Sequence, residues 1–223
     1  MKKKMRKEWI FLTRTIGFIG SDKAEIILYL SRIVTKLNKR VLIQDLSDTK
    51  ALSYCVNGSA EELEDIITYH CSDFTNCYEL QNMMAYDFVL ADFGYNLEHP
   101  DIKKCCEIWI LTDPQIHHVL ALKTLKLEKE QKRILILKDY IRGKISPKYI
   151  MRELEELSIA TDPYVIYWDQ DDWKSAINCQ YNNLSFFDKL SIEYLDLFAE
   201  QLEESGITKR QLKRAFKQVG RGK

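Results

Sequence analysis

The sequence predicts an α/β domain of three layers, a mostly parallel sheet with helices on both faces, and three observations carry that prediction. Six short apolar runs lack the strict alternation of half-exposed strands, so both of their faces are covered. Longer stretches with apolar residues at helical spacing separate them, and such alternation means βαβ crossovers. The 223 residues are 46% hydrophobic with only 8 Gly and 4 Pro, which suits one substantial core and excludes a disordered or low-complexity chain.

The first strand is Thr15–Ile19, and the helical stretch Lys23–Leu37 comes next, with Ile27, Leu30, Ser31, Val34 and Leu37 on one stripe. A strand over Arg40–Ile43 precedes a helical pattern over Ala60–Tyr69. Strands over Asp87–Ala91 and Ile108–Leu111 lead to a helix over Gln115–Glu130, and the strand Arg133–Leu137 to a helix over Pro147–Leu157. The strand Tyr164–Tyr167 and the helices Asp171–Cys179 and Ser191–Glu204 complete a body of residues 14–205, with no internal repeat or dividing linker.

Charge is balanced overall, 33 basic against 33 acidic side chains, but unevenly placed. The N-terminal arm, residues 1–13, is basic, and residues 206–223 carry seven basic side chains and no acid, so the body between them is acidic. Two basic ends suit a negatively charged partner: nucleic acid, anionic lipid or an acidic protein face. In the tail, Thr208 is a candidate N-cap, and Leu212, Ala215, Phe216 and Val219 recur at i, i+3, i+4 and i+7. Lys209, Arg210, Lys213, Arg214 and Lys217 occupy the rest of that helix, a basic amphipathic pattern of the kind that lies on an anionic membrane. A solvated tail and a helix docked on a partner or on the acidic body are the alternatives.

No apolar run approaches the ~20 residues that span a bilayer. Beyond the basic start, Glu8–Thr15 is too short and too polar for the apolar part of a signal peptide. The expected location is cytoplasmic, with a peripheral place at the inner face of the membrane if the tail binds lipid. Cys55, Cys71, Cys77, Cys105, Cys106 and Cys179 form no CxxC pair and read as reduced thiols. His70-Cys71 with Cys77 lacks the second pair that a structural zinc site needs, and His117-His118, about 100° apart on a helix, do not readily share a metal.

In open α/β sheets ligands bind beyond the carboxyl ends of the strands. The first such loop is Gly20-Ser21-Asp22-Lys23-Ala24. Here the chain resembles the ParA/MinD class of P-loop ATPases, whose opening reads K-G-G-x-G-K-T, a helix ending N-L-A and a strand K-R-V-L-L-I-D; this chain has Lys23–Ser31 and then Lys39-Arg40-Val41-Leu42-Ile43-Gln44-Asp45. Tyr86-Asp87-Phe88-Val89-Leu90-Ala91-Asp92 is similar to the Walker B strand of that class. Cys106–Pro114 is similar to its A-D-E-V-I-I-V-T-x-P segment, and Ser191–Leu202 to its terminal helix. The resemblance runs in order over residues 14–204 and implies a P-loop NTPase-like fold of ParA/MinD type.

Carried over by position, Lys23 matches the P-loop lysine, while Ala24 stands where the Mg²⁺-binding Thr belongs. Asp22 replaces the last glycine, and its carboxylate opposes phosphate. The signature lysine has no counterpart, and Lys138-Asp139 replaces the adenine-reading Asn. Asp45 matches the acid that orients the attacking water and Asp92 the Walker B acid; both are relict catalytic candidates, and both equally suit a helix-capping role. Gly20, Ser21, Lys23 and Ala24 form a degenerate nucleotide-binding loop.

The resemblance implies a non-catalytic scaffold or localisation factor for a protein partner, similar to the TadZ and CpaE proteins of pilus and secretion systems. Homodimerisation and contact with membrane or DNA through the basic ends accompany that expectation. The alternatives are an ATPase switch in which Lys23, Asp45 and Asp92 suffice with ATP and Mg²⁺, and a DNA-binding partitioning-type protein. Trp168-Asp169-Gln170-Asp171-Asp172-Trp173 reads either as a partner surface or as a helix start with Trp173 packed inward.

Overall fold

The computed structural model describes residues 13–21, 24–61, 65–76, 85–182 and 190–220. Eight strands make one sheet: β1 (Arg14–Gly20), β2 (Val41–Asp45), β3 (Ile67–Tyr69), β4 (Ser72–Thr75), β5 (Phe88–Asp92), β6 (Glu107–Thr112), β7 (Lys132–Tyr140) and β8 (Tyr164–Tyr167). Their order across the sheet is β3-β4-β2-β5-β1-β6-β7-β8. All neighbours are parallel except β3 and β4. The helices are α1 (Ala24–Lys36), α2 (Ala51–Asn57), α3 (Ile116–Leu122), α4 (Pro147–Glu153), α5 (Gln170–Asn182), α6 (Ile192–Glu203) and α7 (Lys209–Val219).

Alternation along the strands divides the interior into two cores. Phe18, Ile43, Leu90, Trp109 and Ile136 face one side, where they meet α1, α2, α6 and α7. Ile19, Ala91, Ile108, Ile110 and Leu135 face the other and meet α3 and α4. The central strands are therefore apolar on both faces, which is why they read as unbroken runs. At the amino edge of the sheet, Arg14 bonds Glu107 at 2.5 Å and donates to the Gln201 carbonyl at 2.8 Å, tying the end of α6 to β1 and β6.

Five features differ from the sequence expectation. The helix expected over Ala60–Tyr69 is absent from its described part; α2 lies earlier, stopped by Gly58 in the left-handed region, and Ile67–Thr75 form an antiparallel hairpin. His70 (φ 46°) and Cys71 (φ 70°) both have positive φ, the requirement of a tight hairpin turn normally signalled by Asn-Gly, so the turn gave no sequence cue. The helix expected over Gln115–Glu130 stops at Leu122. Strand β7 runs on to Tyr140 through a register shift in which Asp139 takes φ 53°.

The fourth difference is Trp173, which is 48% exposed rather than packed inward, and Trp168 beside it is 51% exposed. Asp169 caps α5, accepting from the N–H of Asp171 (2.7 Å) and of Asp172 (3.1 Å). The fifth is the tail, which departs from the lipid-facing reading and follows the alternative of a helix docked on the body. Helix α7 packs on α1 and α6, with Leu212, Ala215 and Val219 buried in the first core and Phe216 half-buried against it. Thr208 and Gln211 form a reciprocal capping box at its start. The apolar stripe that the sequence offered to lipid is thus covered by the chain's own core, while Lys209, Arg210, Lys213, Arg214 and Lys217 point outward. The basic arm falls, except for Thr13, outside the described residues.

Candidate functional site

Strand β1 is central, with the chain running to β2 on one side and to β6–β8 on the other, so the topological switch point lies beyond the carboxyl end of β1. Three residues, 21–23, separate the end of β1 from the start of α1. A phosphate loop of the pattern G-x-x-x-x-G-K-[ST] needs a longer connection to wrap consecutive N–H groups around phosphate. Here the Gly20 N–H donates to the Gly94 carbonyl at 2.8 Å and the Ser21 N–H to the Leu111 carbonyl at 3.0 Å. Both donors are taken by neighbouring backbone, Gly94 in the turn after β5 and Leu111 in β6. Gly20 is required for that path: its φ is +110°, and a Cβ there would lie 2.0 Å from the Leu111 carbonyl oxygen.

The head of α1 carries its own anion. Ala24 offers no hydroxyl, and the next residue, Glu25, is buried in an ion pair with Lys138 of β7. A buried carboxylate in the first turn satisfies the positive end of a helix that would otherwise attract phosphate. Lys138 is thereby an internal partner of α1. Burial raises the Tyr29 hydroxyl far above its usual range, and the Glu25 charge adds to that shift.

Asp45 is fully buried at the end of β2. One carboxylate oxygen accepts from the Ser47 hydroxyl (2.6 Å) and N–H (3.2 Å), and the other from the Ser53 N–H (2.7 Å) and hydroxyl (2.8 Å). Ser53 is the third residue of α2, so Asp45 holds one of the orphan donors of that helix. Asp92 lies in register beside Asp45 on β5 and accepts from the Gly94 N–H at 2.8 Å. The two acids are neighbours, and Asp45 has both oxygens engaged in shaping the β2–α2 turn.

A cleft of about 810 Å³ opens over this edge, lined by Asp48, Thr49, Cys55, Asp92 and the rings of Tyr54, Tyr95 and Tyr181, among others. Among the described residues no Lys, Arg or His lines it. Burial, and after it the Asp113 carboxylate, push the Tyr95 hydroxyl up to about 12, so it remains a neutral donor. Exposed apolar side chains lie beyond four strands in turn at the same edge: Tyr95 after β5, Ile116 after β6, Ile141 after β7 and Trp168 after β8. His118 is held by Asp113, Nδ1 to Oδ1 at 2.8 Å, with the His117 ring 4.1 Å away.

The described donors do not fit magnesium nucleotide, the group the sequence resemblance implies. The described part of the loop lends it no free backbone N–H from Gly20 or Ser21, no hydroxyl at Ala24 and no open oxygen on Asp45. Asp22 and Lys23 lie outside the described residues. Among the described residues no group of three or more His, Cys, Asp or Glu is placed to hold a metal, and no helix is long and apolar enough to cross a membrane. Sequence reasoning missed the tyrosines of the cleft and the Glu25–Lys138 pair. Tyr95 was within reach, three residues past Asp92 at a carboxyl edge, whereas Tyr181 is brought in from α5 by tertiary packing.

No protein-family model matches the chain, and no curated protein matches it in sequence. Solved structures do match its fold. A ParA family ATPase from Chlorobium tepidum TLS is 16% identical, with 92% of this chain and 96% of that one covered and a TM-score of 0.55. A chain of the MinC:MinD cell division protein complex of Aquifex aeolicus is 13% identical over 88% of this chain and 98% of its own, with a TM-score of 0.63. A putative plasmid partition protein of Borrelia burgdorferi bound to AMPPNP is 14% identical over 86% and 98%, with a TM-score of 0.56. The chain has the three-layer α/β fold of the ParA/MinD ATPases and resembles them over most of its length.

Proposed function

We propose that the chain uses the ParA/MinD fold without its catalysis, as a scaffold or localisation factor that places a protein partner. The observation that carries this reading is the state of the β1–α1 connection, where the Gly20 and Ser21 N–H groups are taken by the carbonyls of Gly94, in the turn after β5, and of Leu111 in β6. Phosphoryl transfer depends on positioning and on neutralising charge at the phosphates, and the described loop supplies neither. The exposed apolar side chains along the carboxyl edge are the surface offered to a partner. A role in a pilus or secretion system, like that of the TadZ and CpaE proteins the sequence resembles, is the setting we assign to it.

The test is isothermal titration of the full chain with MgATP and MgADP, repeated on Lys23→Ala. The expected result is no saturable heat with either nucleotide. Micromolar binding that Lys23→Ala abolishes would establish the ATPase-switch alternative instead.

A second contact is favoured by the outward face of α7, where Lys209, Arg210, Lys213, Arg214 and Lys217 are all exposed. With the apolar stripe of this helix in the core, the face meets an anionic membrane or DNA by charge alone. Its affinity then falls steeply with salt, and Phe216→Glu changes stability more than binding.

A further inference from the structure

The carboxyl-edge cleft has a chemistry opposite to that of a phosphate site. Tyr54 and Tyr181 are 54% and 82% exposed, and Tyr95 lines the same cleft, so three tyrosines border one concavity. The Asp48 carboxylate is exposed beside them, with no hydrogen bond or ion pair to another described residue, and Asp92 lies at the base. The nearest described lysine in sequence, Lys50, directs its ammonium to the Asp45 carbonyl at 3.1 Å. Aromatic faces and carboxylates in one concavity attract a cation twice, through the ring quadrupoles and through net charge.

We propose that this cleft receives an arginine side chain presented by a basic segment of the protein partner. A guanidinium is the cation that suits it best, because its plane stacks on tyrosine and it sheds water more readily than an ammonium. The volume of about 810 Å³ exceeds one side chain and admits the flanking residues of the segment. Charge complementarity to Asp48 and Asp92 selects the occupant, and the acidic excess of the body favours a basic segment. This inference rests on the reading above, in which the edge does not hold nucleotide.

Fluorescence anisotropy of labelled tetra-arginine and tetra-lysine peptides, titrated with the full chain, tests it. The arginine peptide is expected to bind about five-fold more tightly, and Tyr54→Ala, Tyr181→Ala and Asp48→Asn each to weaken it about three-fold. Asp162→Asn, an exposed acid ahead of β8, is expected to change nothing. Equal affinity for the two peptides, or cleft variants no weaker than the Asp162 variant, would reduce the binding to general charge attraction and overturn the proposal. MgATP is added in a parallel series. If nucleotide binds and displaces the peptide, the non-catalytic reading fails; if nucleotide is silent while the peptides bind alike, only the arginine proposal fails.

Discussion

Removal of the Asp45 carboxylate separates a structural acid from a catalytic one. In a working ATPase this acid would be spent on the attacking water, and its loss would cost turnover with little effect on stability. Here it accepts four hydrogen bonds, from two N–H groups and two hydroxyls, in a site without solvent. Hydrogen bonds to a charged group contribute about 1.5–3 kcal/mol each, and loss of a helix cap costs about 0.5–2 kcal/mol. The bonds share one carboxylate and are not additive, so Asp45→Ala is expected to destabilise by about 4 kcal/mol. At about 2–4 °C per kcal/mol for a chain of this size, Tm falls by about 8–16 °C. Urea unfolding at unchanged m-value is the assay. Ser53→Ala, which removes one hydroxyl donor to the carboxylate and leaves its N–H bonded, is expected to cost about 2 kcal/mol. An Asp45→Ala protein within about 1 kcal/mol of the parent would refute the capping role.

Other substitutions probe the remaining elements. Gly20→Ala places a methyl against the Leu111 carbonyl in a left-handed conformation, and is expected to cost at least about 3 kcal/mol by thermal unfolding or to prevent folding. Leu212→Ala should destabilise the whole domain by about 3 kcal/mol, whereas Lys213→Ala on the outer face of α7 should stay within about 0.5 kcal/mol; a silent Leu212→Ala would mean that α7 is a detached tail. Burial alone would raise the Asp87 carboxyl, but the Arg40 N–H (2.8 Å) and Lys39 ammonium (3.3 Å) outweigh it and hold it below its usual value of 3.8. Its contribution is therefore complete above that value and lost as pH falls below it, and Asp87→Asn should flatten the acid limb of a stability–pH curve.

The central strands were legible because burial on both faces leaves continuous apolar runs, and Ile16–Ile19, Ile108–Leu111 and Ile134–Leu137 have no polar face to confuse the period. The hairpin was not, because His70-Cys71 adopts a turn that its residue types do not announce. The tail pattern announces an amphipathic helix, but periodicity does not say what covers its stripe, and here α1 and α6 do. Trp173 looks like a core residue by type and position, yet only the packing of α5 decides its exposure. At the site, Asp45 and Asp92 could be placed from strand ends alone. The donors that fill Asp45, and the pairing of Glu25 with Lys138 across 113 positions of chain, exist only in three dimensions.

Amide NMR of Gly20 and Ser21 separates a closed β1–α1 connection from a phosphate loop, because their N–H groups are either held by neighbouring carbonyls or free for phosphate. Both amides are expected to be protected from exchange, as hydrogen-bonded donors are, with shifts that do not move as MgATP is added. Saturable shifts at Gly20, Ser21 and Ala24 with MgATP, or rapid exchange of the first two without it, would contradict a closed connection.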